Sequence, residues 1–90
     1  MALADTVQPR LAHGLRLQWE AVQDCHVLLY PEGMVRLNRS AGEILARCDG
    51  QASLVHVVAQ LETAFGRQDL RAEVEKFLEL AAAQRWVDLA

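Results

Sequence analysis

The chain has 90 residues, 52% of them hydrophobic, and a formal net charge of −3. That is enough apolar material for one domain burying about 60–70% of its extended-chain surface, so neither disorder nor a disulfide scaffold is needed. The acidic balance argues against a sequence-independent grip on nucleic acid, which depends on neutralising phosphates. Residues 1–10 contain no apolar segment of the kind a signal peptide needs. No run approaches the ~18 apolar residues of a membrane span, which predicts a cytoplasmic chain. Cys25 and Cys48 lack CxxC spacing and read as two reduced, buried thiols acting as small hydrophobes.

Residues 1–8 read as a flexible arm, and Pro9 opens a single domain over residues 9–90. Leu15, Leu17 and Trp19 alternate with polar neighbours, which predicts a strand with those three facing inward. Gln23-Asp24 is a turn. Residues 25–30 are more uniformly apolar, as a strand covered on both sides would be, with His26 at a solvent edge. Pro31-Glu32-Gly33 then reverses the chain, Pro31 fixing its own φ and Gly33 allowing positive φ. Residues 34–38 return as a third strand at the edge of an antiparallel meander.

Three helices follow. Asn38 or Ser40 caps the first, and Ser40 with Glu43 has the spacing of a capping box. Ala41, Ile44, Leu45 and Cys48 form its apolar stripe, and Asp49-Gly50 ends it. Ser53 starts the second, which carries Leu54, Val57, Val58, Leu61 and Phe65 and stops at Gly66. The third starts at Asp69 and carries Leu70, Val74, Phe77, Leu78 and Ala81. The tail around Trp86 is short, extended and folded back on the core. The fold class is therefore α+β and winged-helix-like: a three-stranded antiparallel β-meander followed by a three-helix bundle.

Little here suggests chemistry. His13, His26 and His56 do not pair with each other or with a cysteine at the local spacing of a zinc site, so no metal is expected. Ser40 and Ser53 serve as helix caps, and no base accompanies them, so the chain is not read as an enzyme. The second and third helices resemble a helix-turn-helix, and a DNA-binding winged-helix module is the alternative. Its reading helix would carry Asp69, Glu73, Glu75 and Glu79 against Arg71 and Lys76, which phosphates would repel. Peptide recognition fits better. An edge strand offers unpaired N–H and C=O groups to an incoming segment, and a proline at Val35 would remove one such donor. The third helix could wall a groove beside that edge with Leu70, Val74, Phe77 and Leu78. The exposed edge also permits strand exchange between two copies.

The chain resembles the PqqD family of pyrroloquinoline quinone biosynthesis. The resemblance rests on Pro9-Arg10-Leu11, Arg16-Leu17-Gln18-Trp19, Val27-Leu28-Leu29 with Pro31-Glu32-Gly33, Leu37-Asn38, Ile44-Leu45, Cys48-Asp49-Gly50 and Phe77-Leu78. It implies a non-catalytic peptide chaperone without a cofactor, a recognition element for ribosomally made, modified peptides. Its partners would be the precursor peptide PqqA and the radical-SAM enzyme PqqE, with no nucleic acid or membrane. The family's peptide site lies between third strand and third helix. Carried over, Met34, Val35, Arg36 and Leu37 would pair with the peptide backbone, and Leu70, Arg71, Val74, Phe77 and Leu78 would line the groove. One departure is Arg85-Trp86-Val87, where the family tends to a Gly-Leu-Val-like helix exit.

Overall fold

The computed structural model describes residues 3–90. In order these form β1 (Pro9–Leu11), β2 (Arg16–Glu20), β3 (Cys25–Tyr30), β4 (Gly33–Arg36), α1 (Arg39–Ala46), α2 (Leu54–Phe65), α3 (Arg71–Ala83) and β5 (Val87–Leu89). β2, β3 and β4 make the expected antiparallel meander with β3 at its centre. A second, two-stranded sheet adds to that plan: β1 pairs antiparallel with β5, Pro9 opposite Leu89. The tail expected to fold back does so as β5. The β3–β4 turn uses no positive φ at Pro31, Glu32 or Gly33, so the freedom of Gly33 is not exploited.

Register sorts the side chains into two faces. Directly paired residues share a face, so Leu17, Leu28 and Val35 form one row, packed on the helices. Gln18, Val27 and Arg36 form a row on the opposite face. Val27 is buried there, and the stems of its two polar neighbours are the cover that the register places beside it. This explains why β3 is apolar at both Val27 and Leu28.

Two side chains of this sheet depart from expectation. Trp19 shares the inner face, paired with His26, but is 52% exposed rather than buried. His26 keeps a partly exposed edge, but its ring lies against α1, where a Cβ on Gly42 would come within 2.5 Å of Nδ1. The imidazole thus occupies the inner space, and the Trp19 ring stands edge-on to it at 4.9 Å and 72°.

The helix ends also differ from the simplest pattern. Asn38, not Ser40, caps α1: its Oδ1 accepts from the Ala41 N–H at 2.8 Å. No Ser40–Glu43 box forms, because Ser40 lies inside the first turn and Glu43 pairs with Arg47 at 2.8 Å. Cys48 is buried as expected and donates its Sγ–H to the Ile44 carbonyl at 3.2 Å, whereas Cys25, at the start of β3, is only partly buried. Burial, with Asp49 adding to it, pushes the Cys48 thiol up to about 12, which leaves it chemically quiet. The Asp49 carboxylate accepts from the N–H groups of Gln51 and Ala52 at 2.8 and 3.0 Å, closing the turn into α2.

Ser53 precedes α2 with extended backbone but makes no side-chain cap bond. The N–H groups of Leu54 and Val55 donate instead to the carbonyls of Val7 and Asp5, at 2.7 and 3.3 Å. Residues 3–8 of the segment expected as a flexible arm therefore cap a helix. Arg71 of α3 binds the same segment, at the Leu3 carbonyl (2.8 Å) and the Asp5 carboxylate. Met1 and Ala2 lie outside the described residues.

α2 ends at Gly66 (φ 62), with the Arg67 N–H donating to the Glu62 carbonyl at 3.0 Å. α3 starts at Arg71 rather than Asp69: Asp69 is left-handed (φ 61), and the Leu70 N–H donates to Glu62 Oε2 at 3.1 Å. At its other end Arg85 takes the left-handed position (φ 64), with the Trp86 N–H donating to the Ala81 carbonyl at 2.8 Å. The helix exit thus keeps the geometry glycine favours while carrying a Cβ. Arg85→Gly is expected to raise the melting temperature by about 3–6 °C, relief of left-handed strain outweighing glycine's extra unfolded-state entropy. Calorimetric melting checks this, and an unchanged or lower value contradicts it.

Candidate functional site

β4 is the last strand of its sheet, so one of its sides is open. The Leu37 N–H donates to the His26 carbonyl at 3.0 Å. Hydrogen-bonded and non-bonded pairs alternate along an antiparallel ladder, so Val35 opposite Leu28 is also a bonded pair. Met34 and Arg36, opposite Leu29 and Val27, turn their N–H and C=O groups to the open side. Of the four predicted backbone positions, two supply free groups. Val35 and Leu37 are committed to β3. A proline at Val35 would therefore break the sheet instead of testing a guest, which corrects that expectation.

The two ends of α3 lie near the two ends of β4, in opposite order. The first turns of α3 contribute Leu70, Glu73 and Val74 to a cleft of about 280 Å³ shared with Arg39 and Ser40, which open α1 two residues after β4. Its exit contributes Gln84, Arg85 and Trp86 to a hollow shared with Tyr30, Pro31 and Glu32, which precede β4.

Helical periodicity divides the α3 residues by direction. Leu70, Val74 and Leu78 are 4%, 2% and 0% exposed, so they form the floor of the region and not a wet wall. Glu73, Phe77 and Leu80 lie on the flank that shares the cleft. Phe77 is half-buried, while Leu80 is 55% exposed. Arg71 is on the opposite flank, held by residues 3–5 and by Glu75 at 3.8 Å, so it is not gathered with Phe77. Leu80 was legible as the i+3 neighbour of Phe77. The cleft residues Arg39, Phe65 and Arg67 had no such signal, because three separate elements bring them together.

The cleft has an apolar interior of Ile44, Leu61, Phe65, Leu70 and Val74. The Arg39 guanidinium lies over the Phe65 ring, 5.0 Å from its centre. Arg67 and Glu73 pair at 3.4 Å across another part of the rim. Among the described residues, no three His, Cys, Asp or Glu side chains gather to hold a metal ion, and no helix is long and apolar enough to cross a membrane. What the arrangement can do is bind: two free backbone positions, an adjoining apolar flank, and a pocket at one end.

The family model for Coenzyme PQQ synthesis protein D (PqqD) matches residues 25–87. The chain belongs to the PqqD family. A protein of Azotobacter vinelandii named PqqA binding protein is 49% identical over 82 residues, covering 90% of this chain and 89% of the relative. Proteins of the same name from Pseudomonas aeruginosa (50% over 82 residues) and Kluyvera intermedia (42% over 86) are similar; the latter match covers 94% of both chains. Among solved structures, the solution structure of the PqqD truncation of Methylobacterium extorquens PqqCD is similar with a TM-score of 0.71. That pair is 29% identical, with 97% of this chain and 95% of the other covered. The truncation is described as a functional, stand-alone RiPP recognition element. PqqD membership and the α+β recognition-element fold thus agree with the sequence resemblance.

Proposed function

We propose that this PqqD protein is a non-catalytic carrier in the cytoplasm that takes up a PqqA-type precursor peptide as an added strand on β4 and presents it to the radical-SAM enzyme PqqE. The observation that carries the proposal is the open backbone of Met34 and Arg36 on an edge strand whose two ends share hollows with the two ends of α3. The name PqqA binding protein borne by its relatives, and the recognition-element role of the similar structure, support the reading. A guest strand would place alternate side chains toward the α3 flank and toward Met34, which is 59% exposed on the outer face.

Modest affinity suits a carrier, because a flexible peptide loses conformational entropy when it is ordered. DNA reading is disfavoured further by the geometry: Arg71, one of only two cations of α3, is already engaged by Asp5 and Glu75. Calorimetric titration with synthetic PqqA, followed by pull-down of PqqE with and without the peptide, tests the proposal. Saturable peptide binding and capture of the enzyme are expected. No heat with the peptide at millimolar concentration contradicts the reading.

A further inference from the structure

Resting on that reading, we infer that the cleft between the starts of α1 and α3 is a side-chain pocket that anchors one apolar residue of the guest peptide next to an acidic one. Its position comes first. Only Leu37 and Asn38 separate β4 from Arg39 and Ser40, so a strand laid along Met34 and Arg36 reaches this cleft at one end.

Size and polarity then select the occupant. At about 280 Å³ the cleft falls below the usual ~300–1,000 Å³ of a small-molecule site but has room for one side chain. Phe65, Leu70 and Val74 give its floor a hydrocarbon surface, on which an apolar side chain gains more than a polar one. The rim carries two cations, Arg39 and Arg67, against the single carboxylate of Glu73, which pairs with Arg67 and leaves a net positive charge. Arg39 is spent on the Phe65 face and not on an acid, so its charge is open to a guest carboxylate. An apolar anchor beside an acidic residue complements both parts.

The test uses Ser40→Trp, which fills the cleft from an exposed position of the first turn of α1, and Arg67→Glu, which reverses one rim charge. Both are titrated with synthetic PqqA and with alanine-scanned versions of it. Ser40→Trp is expected to weaken binding by at least about tenfold, and one apolar peptide position should lose its alanine effect in that variant alone. Arg67→Glu should weaken binding about threefold or more at low salt, and less as salt rises.

If PqqA binds the wild type and is weakened by a change on the β4 edge, yet both cleft variants bind normally, the pocket assignment is wrong and the edge reading survives. Coupling of Ser40→Trp only to polar peptide positions would also overturn it. So would a dimeric wild type that Ser40→Trp makes monomeric, which would give the cleft to a second copy. Failure of the wild type to bind PqqA removes both readings together.

Discussion

Gly42→Ala is expected to lower the melting temperature by about 5–20 °C, although alanine is the better helix former. Exchanging glycine for alanine within a helix normally stabilises by about 1 kcal/mol. Here the added Cβ meets His26 Nδ1 at 2.5 Å and His26 Cβ and Cγ at 2.9 Å. The ring can rotate, but His26 Cβ is fixed to the backbone of β3, so α1 itself must move off the sheet. Overpacking of this kind costs about 1–3 kcal/mol, and more where backbone is displaced. The steric term wins. In a domain of this size each kcal/mol is worth roughly 4–8 °C. His26→Ala removes the Nδ1 and Cγ contacts, so the double variant should recover part of the loss. Calorimetry of the two single variants and the double variant measures that coupling. A Gly42→Ala protein as stable as the wild type would mean that α1 does not approach β3 this closely.

Met34→Pro is expected to weaken PqqA binding at least about tenfold while the protein stays folded. The Met34 N–H points to the open side of β4, so its loss takes nothing from the β3–β4 ladder. A guest strand loses one hydrogen bond, worth about 1 kcal/mol net, and also meets the proline ring where it must approach. Met34→Ala keeps the N–H and should bind within a few-fold of the wild type. Val35→Pro should behave differently, because that residue's N–H belongs to the sheet: a lower melting temperature is its first effect. Equal affinities for Met34→Pro and Met34→Ala, by titration calorimetry, would contradict strand addition on β4.

Much of this framework was legible because it depends on periodicity and local chemistry. The period of two over residues 15–19, the largely apolar run of β3 and the stripes of α1 and α2 each identify an element from a window long enough to carry a signal. The three-residue strands β1 and β5 offer no such window, and they pair across nearly the whole chain. Trp19 was misread because period gives a face but not how far the covering helix extends along it. Gly42 was the available hint: a glycine inside a helical stripe often marks a close approach, but only the fold says that His26 makes it.

The site was half legible for similar reasons. An open edge at β4 follows from strand order, and Phe77 from the α3 stripe. Which edge residues have free backbone follows from the ladder's phase, set by one bond between Leu37 and His26 that no sequence pattern announces. Arg71 enters the expected groove only through the family resemblance, which carries over positions and not partners. Its actual partners, Leu3 and Asp5, lie more than sixty residues away in sequence. Helix capping shows the same limit, since the amides of α2 are satisfied by backbone carbonyls of residues 3–8, not by the local serine.

The most direct measurement is a titration of isotope-labelled protein with PqqA, following every backbone amide. The account predicts the largest shifts at Met34 and Arg36, accompanied by Phe77 and Leu80, together with protection of the first two amides from solvent exchange. Shifts confined to α2 and the β1–β5 pair, with Met34 and Arg36 still exchanging freely, would contradict it.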